Sequence, residues 1–187
     1  MRKHTIGLAI LALVFTAAAA RSEPGEYEKI LAGMAKLAPL VGKWDAVWKF
    51  HDKDGVTELA GTHTITPVLD KTYFQWEVER HPKNEPGKSR SFLVFTTFNP
   101  RSNRYDQTYF YSRWAIRVTE TGEFDDAKRE FRTTAFIPLE DDVQDENVRT
   151  VLKFADPDHA TYTHYSRYSH EKSERLDLEI QLTRARP

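Results

Sequence analysis

The sequence predicts an all-β protein: a closed antiparallel up-and-down barrel of about ten strands, preceded by one short N-terminal amphipathic helix. Three observations carry this. From Lys43 onward, apolar and polar residues alternate through about ten segments, the period-two pattern of half-buried strands. Turn residues separate the segments at short intervals, so successive strands are antiparallel neighbours in a meander. After Leu40 no stretch has helical periodicity, so nothing is at hand to cover a flat sheet of that size, and closure removes its edges.

The first twenty of the 187 residues stand apart from the fold. Arg2, Lys3 and His4 form a basic start, Ile6 to Phe15 an apolar run, and Thr16 to Ala20 a stretch of small residues before Arg21. This three-part pattern is that of a cleaved secretory signal, and the run is shorter than the roughly twenty residues a spanning helix needs. Residues 1–20 are therefore expected to be a signal peptide and 21–187 one barrel domain, periplasmic or secreted. Removal of Arg2 and Lys3 takes the formal charge from −1 to −3. The chain has no Cys, which excludes disulfides, thiol chemistry and a lipidated Cys after the signal; a domain of this length can rely on its core. Mixed, near-neutral charge gives no footprint for nucleic acid, and no later apolar run is long enough for an integral membrane segment.

The elements follow in order. Tyr27, Ile30, Leu31, Met34 and Leu37 share one helical face, so a helix is expected over 26–40, ended by Pro39 and Gly42, and lying on the mouth or flank of the barrel, which runs over 43–186. Trp44, Ala46, Trp48 and Phe50 share a strand face, and Asp52 to Gly55 is a turn. Val56 to Leu69 follows, with Gly61 suggesting a bulge or bend. After Asp70-Lys71, Phe74, Trp76 and Val78 share a face opposite Gln75, Glu77 and Glu79. A loop over 81–88 leads to Ser91–Phe98, which is apolar enough to be buried on both sides. Asn99 to Ser102 is a hairpin turn, followed by a Tyr-rich strand. Trp114, Ile116 and Val118 alternate before a turn at Glu120 to Glu123. Arg129–Ile137, an acidic loop from Pro138 to Glu146, and strands at 147–155, 159–168 and 174–184 complete the chain. In the last strand Leu176, Leu178, Ile180 and Leu182 face one way, and Arg175, Asp177, Glu179 and Gln181 the other.

Leu37-x-x-Leu40-x-Gly42-x-Trp44, followed by a meander, resembles the opening of the lipocalin-like (calycin) barrels. With Gly61, Asn99-Pro100-x-x-Asn103-x-Tyr105, Thr121-Gly122 and the terminal Arg, the chain resembles more closely a family of uncharacterised bacterial secreted domains on that barrel. The resemblance implies that Gly42 and Trp44 form a structural anchor across the closed end, with a late Arg, Arg184 or Arg186, packed on the indole ring. The Thr-Asp-x-x-Tyr turn of classical lipocalins is absent, so retinoid-like transport is not implied.

A barrel of this size has room for about one small ligand. Trp76 and Trp114 sit on apolar faces and line the pocket if the barrel is hollow. His63 alternates with Leu59, Gly61 and Ile65 and is expected inside; His164 alternates with Tyr162 and Tyr168 on an aromatic face. Trp76, Trp114, His63, Tyr162 and His164 are the expected ligand contacts, for a small apolar or amphiphilic molecule. No cofactor is expected, the alternative being haem on His164, as in the nitrobindins, barrels that the chain also resembles. No metal site is expected: His159, His164 and His170 lack the i, i+2 spacing of ligands on one strand face, and the acidic stretch 140–146 lacks the order of a calcium loop. No catalytic triad, phosphate loop or nucleophile elbow occurs. Two alternatives to a binding protein stay open: an enzyme with His63 or His164 as general base, and an envelope interaction module with a filled barrel.

Overall fold

The computed structural model describes residues 24–81, 90–112, 114–137, 146–168 and 170–186, with the side chains of 90 and 114–116 left outside that description. The expected signal peptide and most of the expected loops at 81–88 and 138–146 lie outside the described residues.

Helix α1 (Glu26–Lys36) passes at Leu37 into a 3₁₀ turn (Ala38–Leu40). The helix therefore stops four residues before the expected end. Pro39 has no N–H to donate, and the chain tightens instead: the Leu40 N–H bonds the Leu37 carbonyl at 2.9 Å and the Val41 N–H that of Ala38 at 3.0 Å.

Ten strands follow: β1 (Gly42–Asp52), β2 (Gly55–Val68), β3 (Tyr73–His81), β4 (Arg90–Asn99), β5 (Arg104–Tyr111), β6 (Trp114–Asp125), β7 (Glu130–Ile137), β8 (Glu146–Phe154), β9 (His159–Tyr168) and β10 (Arg175–Arg184). Each pairs antiparallel with its neighbour in sequence, and β1 pairs with β10, so the sheet closes. At the seam Trp44 stands opposite Arg184 and Phe50 opposite Leu178. The alternation read from the sequence sorts the faces. Trp44, Ala46 and Trp48 on β1, Phe74, Trp76 and Val78 on β3, and Ile180 and Leu182 on β10 are buried inside.

Met34, Leu37 and Leu40 are buried and close one end of the barrel. There the Tyr105 hydroxyl donates to the Gly33 carbonyl at 2.7 Å. The opposite end is bordered by the turns β1–β2 and β9–β10.

Five local expectations are corrected. Gly61 makes no bulge: β2 pairs with β1 and β3 without a register shift. A Cβ at Gly61 would stand 2.3 Å from the Glu79 carbonyl oxygen and 2.9 Å from Trp48 Nε1, so glycine is there for close approach. Glu120 to Glu123 is not a turn, since β6 runs through to Asp125. The reversal comes later, where Arg129 has φ 53° and Asp125 Oδ1 accepts from the Lys128 N–H at 3.1 Å. The apolar β4 is not covered on both sides. Leu93 is exposed outside, beside its equally exposed cross-strand partner Phe110. Glu146 opens β8 and does not end a loop. Finally, β10 slips register between Leu176 and Leu178. The extra residue in this bulge is Asp177, whose side chain lines the interior cavity, because a bulge re-aims the residue it inserts.

Candidate functional site

The closed end is held by Trp44 and Arg184. Trp44 is 1% exposed, and its Nε1–H donates to the Leu40 carbonyl at 2.7 Å. The Arg184 guanidinium lies 4.3 Å from the centre of the indole ring. It also donates to the Pro39 carbonyl at 2.7 Å, the Val41 carbonyl at 3.0 Å and the Pro157 carbonyl at 2.9 Å. One side chain thus ties the start of β1, the end of β10 and the β8–β9 turn to one ring. Gly42 has φ +131°, a conformation that requires glycine, and a Cβ there would stand 2.8 Å from Arg184 Nη1, so the guanidinium would have to shift. Arg186 is exposed and not placed on the ring.

Above this base lies a cavity of about 250 Å³. Its walls are mainly aromatic and aliphatic: Trp48, Phe50, Trp76, Val78, Phe92, Val94, Tyr109, Tyr111, Tyr162, Leu178, Ile180 and Leu182. Phe50, Arg80, Phe92, Tyr111 and Asp177 come from the strand ends farthest from α1, so the cavity faces the end away from the helix. Four of the five expected ligand contacts, His63, Trp76, Tyr162 and His164, line it. The fifth, the Trp114 side chain, lies outside the described residues.

His63 is 4% exposed, and neither ring nitrogen has a hydrogen-bond partner among the described residues. Its ring lies 5.4 Å from that of Trp48. Burial without a compensating partner disfavours the imidazolium, and the pKa falls from 6.5 to about 4. The indole Nε1 of Trp76 is likewise buried without a partner.

Deep on the opposite wall is a polar layer that the sequence reading missed. Glu120 is 3% exposed. Its carboxylate accepts from the Thr133 hydroxyl and, at 3.4 Å, from the Thr150 hydroxyl, with the Tyr109 hydroxyl 3.3 Å away. The Tyr109 hydroxyl also lies 2.8 Å from Gln107 Oε1, and the Gln107 amide donates to Thr96 Oγ1 at 2.9 Å. Burial raises the Glu120 pKa from 4.5 to about 6, against the pull of the three hydroxyls. Burial likewise holds the Tyr109 and Tyr162 phenols well above their usual value and pushes Tyr111 up to about 12. The three phenols are neutral near pH 7, so they serve as hydrogen-bonding groups. The signal for Glu120 was its even spacing from Val118 and Gly122, obscured by the turn-like Thr-Gly pair.

A carboxyl that binds its proton more tightly folded than unfolded weakens the fold wherever it is ionised. Glu120→Gln keeps an acceptor for the hydroxyls and removes the buried charge. The variant should be more stable than the wild type by up to about 2 kcal/mol at pH 8 and nearly equal to it below pH 4.5. Urea unfolding at the two pH values reads this directly, and an equal effect at both would refute the assignment.

At the end away from α1 two sets of charged groups flank the cavity. Arg80 lies over Trp48, Phe50 and Phe92, at 5.2, 5.7 and 5.6 Å from the ring centres. Across from it are His164, Asp177 and Glu146, with Ser166 fully buried among them and donating to Asp177. Burial lowers the His164 pKa, and the neighbouring Asp177 partly offsets this. Haem on His164 fits poorly: the imidazole has two carboxylates as neighbours, and the cavity lies below even the roughly 300–1,000 Å³ of drug-sized sites.

A closed ten-stranded barrel, plugged by a helix at one end and hollowed by an aromatic cavity toward the other, defines a β-barrel protein with an internal site. Residues 32–184 match the family described as "Protein of unknown function (DUF1579)", and the chain belongs to that family. No curated protein matches the chain. Among the described residues no helix is long and apolar enough to cross a membrane.

Proposed function

We propose that this is a lipocalin-like binding protein, secreted or periplasmic, whose barrel holds one small, largely apolar molecule bearing a hydrogen-bonding group. The observation that carries the proposal is His63, buried in an aromatic-walled cavity with neither ring nitrogen partnered among the described residues. Leaving a buried polar group unsatisfied costs about 1–3 kcal/mol, and a ligand hydroxyl, carbonyl or amide would satisfy it. The cavity's 250 Å³ exceeds the roughly 150 Å³ that admits benzene, so a compound of one or two rings, or a short branched chain, is the matching size. Export is proposed from the pattern of residues 1–20 alone. A His63 general base is the weaker reading. An imidazole pushed down to about 4 is a poor proton acceptor at pH 7.

Native mass spectrometry of the mature protein, purified gently from its own host, tests the proposal. A small retained mass, released on denaturation, is expected. It should be missing from Val94→Trp, which fills the cavity from a wall position that is 2% exposed. A bare polypeptide mass, with tryptophan fluorescence unmoved by a panel of one- and two-ring compounds, would overturn it.

A further inference from the structure

Three strands bring together a donor set that no single strand shows. Glu146 opens β8, His164 sits within β9, and Asp177 is the bulged residue of β10. One ligand atom from each lies within 4.8 Å of the others, and all three side chains are half-buried. Ligands about 2.1 Å from a shared ion stand at most roughly 4 Å apart, so small side-chain rotations close the set. We infer that Glu146, His164 and Asp177 form a binding site for a divalent transition-metal ion at the end of the barrel away from α1.

The surroundings support a cation there. Two carboxylates held this close repel one another, and a dication between them relieves the repulsion. Arg175 offsets part of that charge, donating to Asp177 Oδ1 at 2.7 Å. Ser166 donates to the other Asp177 oxygen, as an outer partner that orients a ligand carboxylate. One imidazole with two carboxylates suits zinc, manganese or ferrous iron better than magnesium or calcium, which prefer all-oxygen sets. Three protein ligands leave a coordination position open. His164 and Asp177 face the same cavity in which His63, 4% exposed, has no hydrogen-bond partner among the described residues. A fourth ligand, water or an anionic oxygen of a small molecule, therefore has room beside the ion.

The site rests on three side chains and not on what fills the cavity, so its test uses the metal alone. Chelator-stripped mature protein is titrated with zinc chloride by calorimetry, with magnesium as control. One zinc per chain is expected, with no magnesium binding at the same concentration. His164→Ala, Asp177→Asn and Glu146→Gln should each weaken zinc binding tenfold or more. His159→Ala, at an exposed imidazole beside Asp156, should leave it unchanged. Melting without metal verifies that each variant is folded. Absence of stoichiometric zinc binding overturns the inference. So does zinc binding that survives the three substitutions in folded protein, or that is lost with His159→Ala.

Discussion

Trp44→Ala should destabilise the protein by about 3–5 kcal/mol, the range for emptying a large aromatic site in a core. The ring is 1% exposed, and three interactions end with it. The cavity left at the closed end lies between the strand that begins the barrel and the strand that completes it, where Trp44 stands opposite Arg184. The Leu40 carbonyl loses its 2.7 Å donor, a loss of about 1 kcal/mol. The Arg184 guanidinium loses the ring beneath it, about another 1 kcal/mol. Trp44→Phe separates these contributions. It keeps most of the ring and the cation contact but not the N–H, and should cost roughly 1–2 kcal/mol. The midpoint of urea unfolding measures both. A loss under roughly 1 kcal/mol for the alanine variant would show that the closed end does not depend on this ring.

His63 should make the protein acid-sensitive in a defined window. Its folded pKa, about 4, lies below the unfolded 6.5. The unfolded chain therefore takes up a proton that the folded one refuses. Stability from this group is complete above pH 6.5 and declines as pH falls toward 4, by about 3 kcal/mol in all. Glu120 works the other way, because its folded pKa of about 6 lies above the unfolded 4.5. Between pH 4.5 and 6 the two groups nearly cancel. The single variants should uncover them. His63→Leu should lose stability as pH rises through that window, and Glu120→Gln should gain it. The titratable and charged groups that line the cavity with His63, namely Arg80, Tyr109, Tyr111, Tyr162, His164 and Asp177, keep their identity in both variants, so the difference between the variants isolates His63 and Glu120. Denaturation series at half-unit steps of pH measure the two slopes, and equal slopes would mean that neither group is held as described.

The architecture was legible because a barrel wall is a local pattern repeated. Period-two alternation identifies each strand, short turns make successive strands neighbours, and lack of covering helices implies closure; none of this needs a distant contact. The Gly42-x-Trp44 anchor and the late Arg on its ring were implied by the resemblance to the calycin barrels and not by alternation. His63 and Tyr162 were placed inside by parity alone. Parity failed where the backbone departs from regularity or the composition imitates a turn. Asp177 follows an unbroken alternation in sequence, but the bulge in β10 turns it to the interior. Glu120 precedes a Thr-Gly pair and looked like the start of a reversal, while β6 continues through it.

By itself, then, the chain determined which residues form strands, which face of each is apolar, and where the barrel begins. Those properties depend on side-chain alternation and backbone preference over a few residues. Only the tertiary structure decided which inward groups meet. His164 shares a spot with Glu146 and Asp177 because three strands lie side by side, a meeting that spacing along one strand does not show. Among the described residues His63 has no hydrogen-bond partner while Glu120 is surrounded by hydroxyls. Both outcomes follow from the register and stagger around a closed ring, in which residues far apart in sequence become neighbours across the interior.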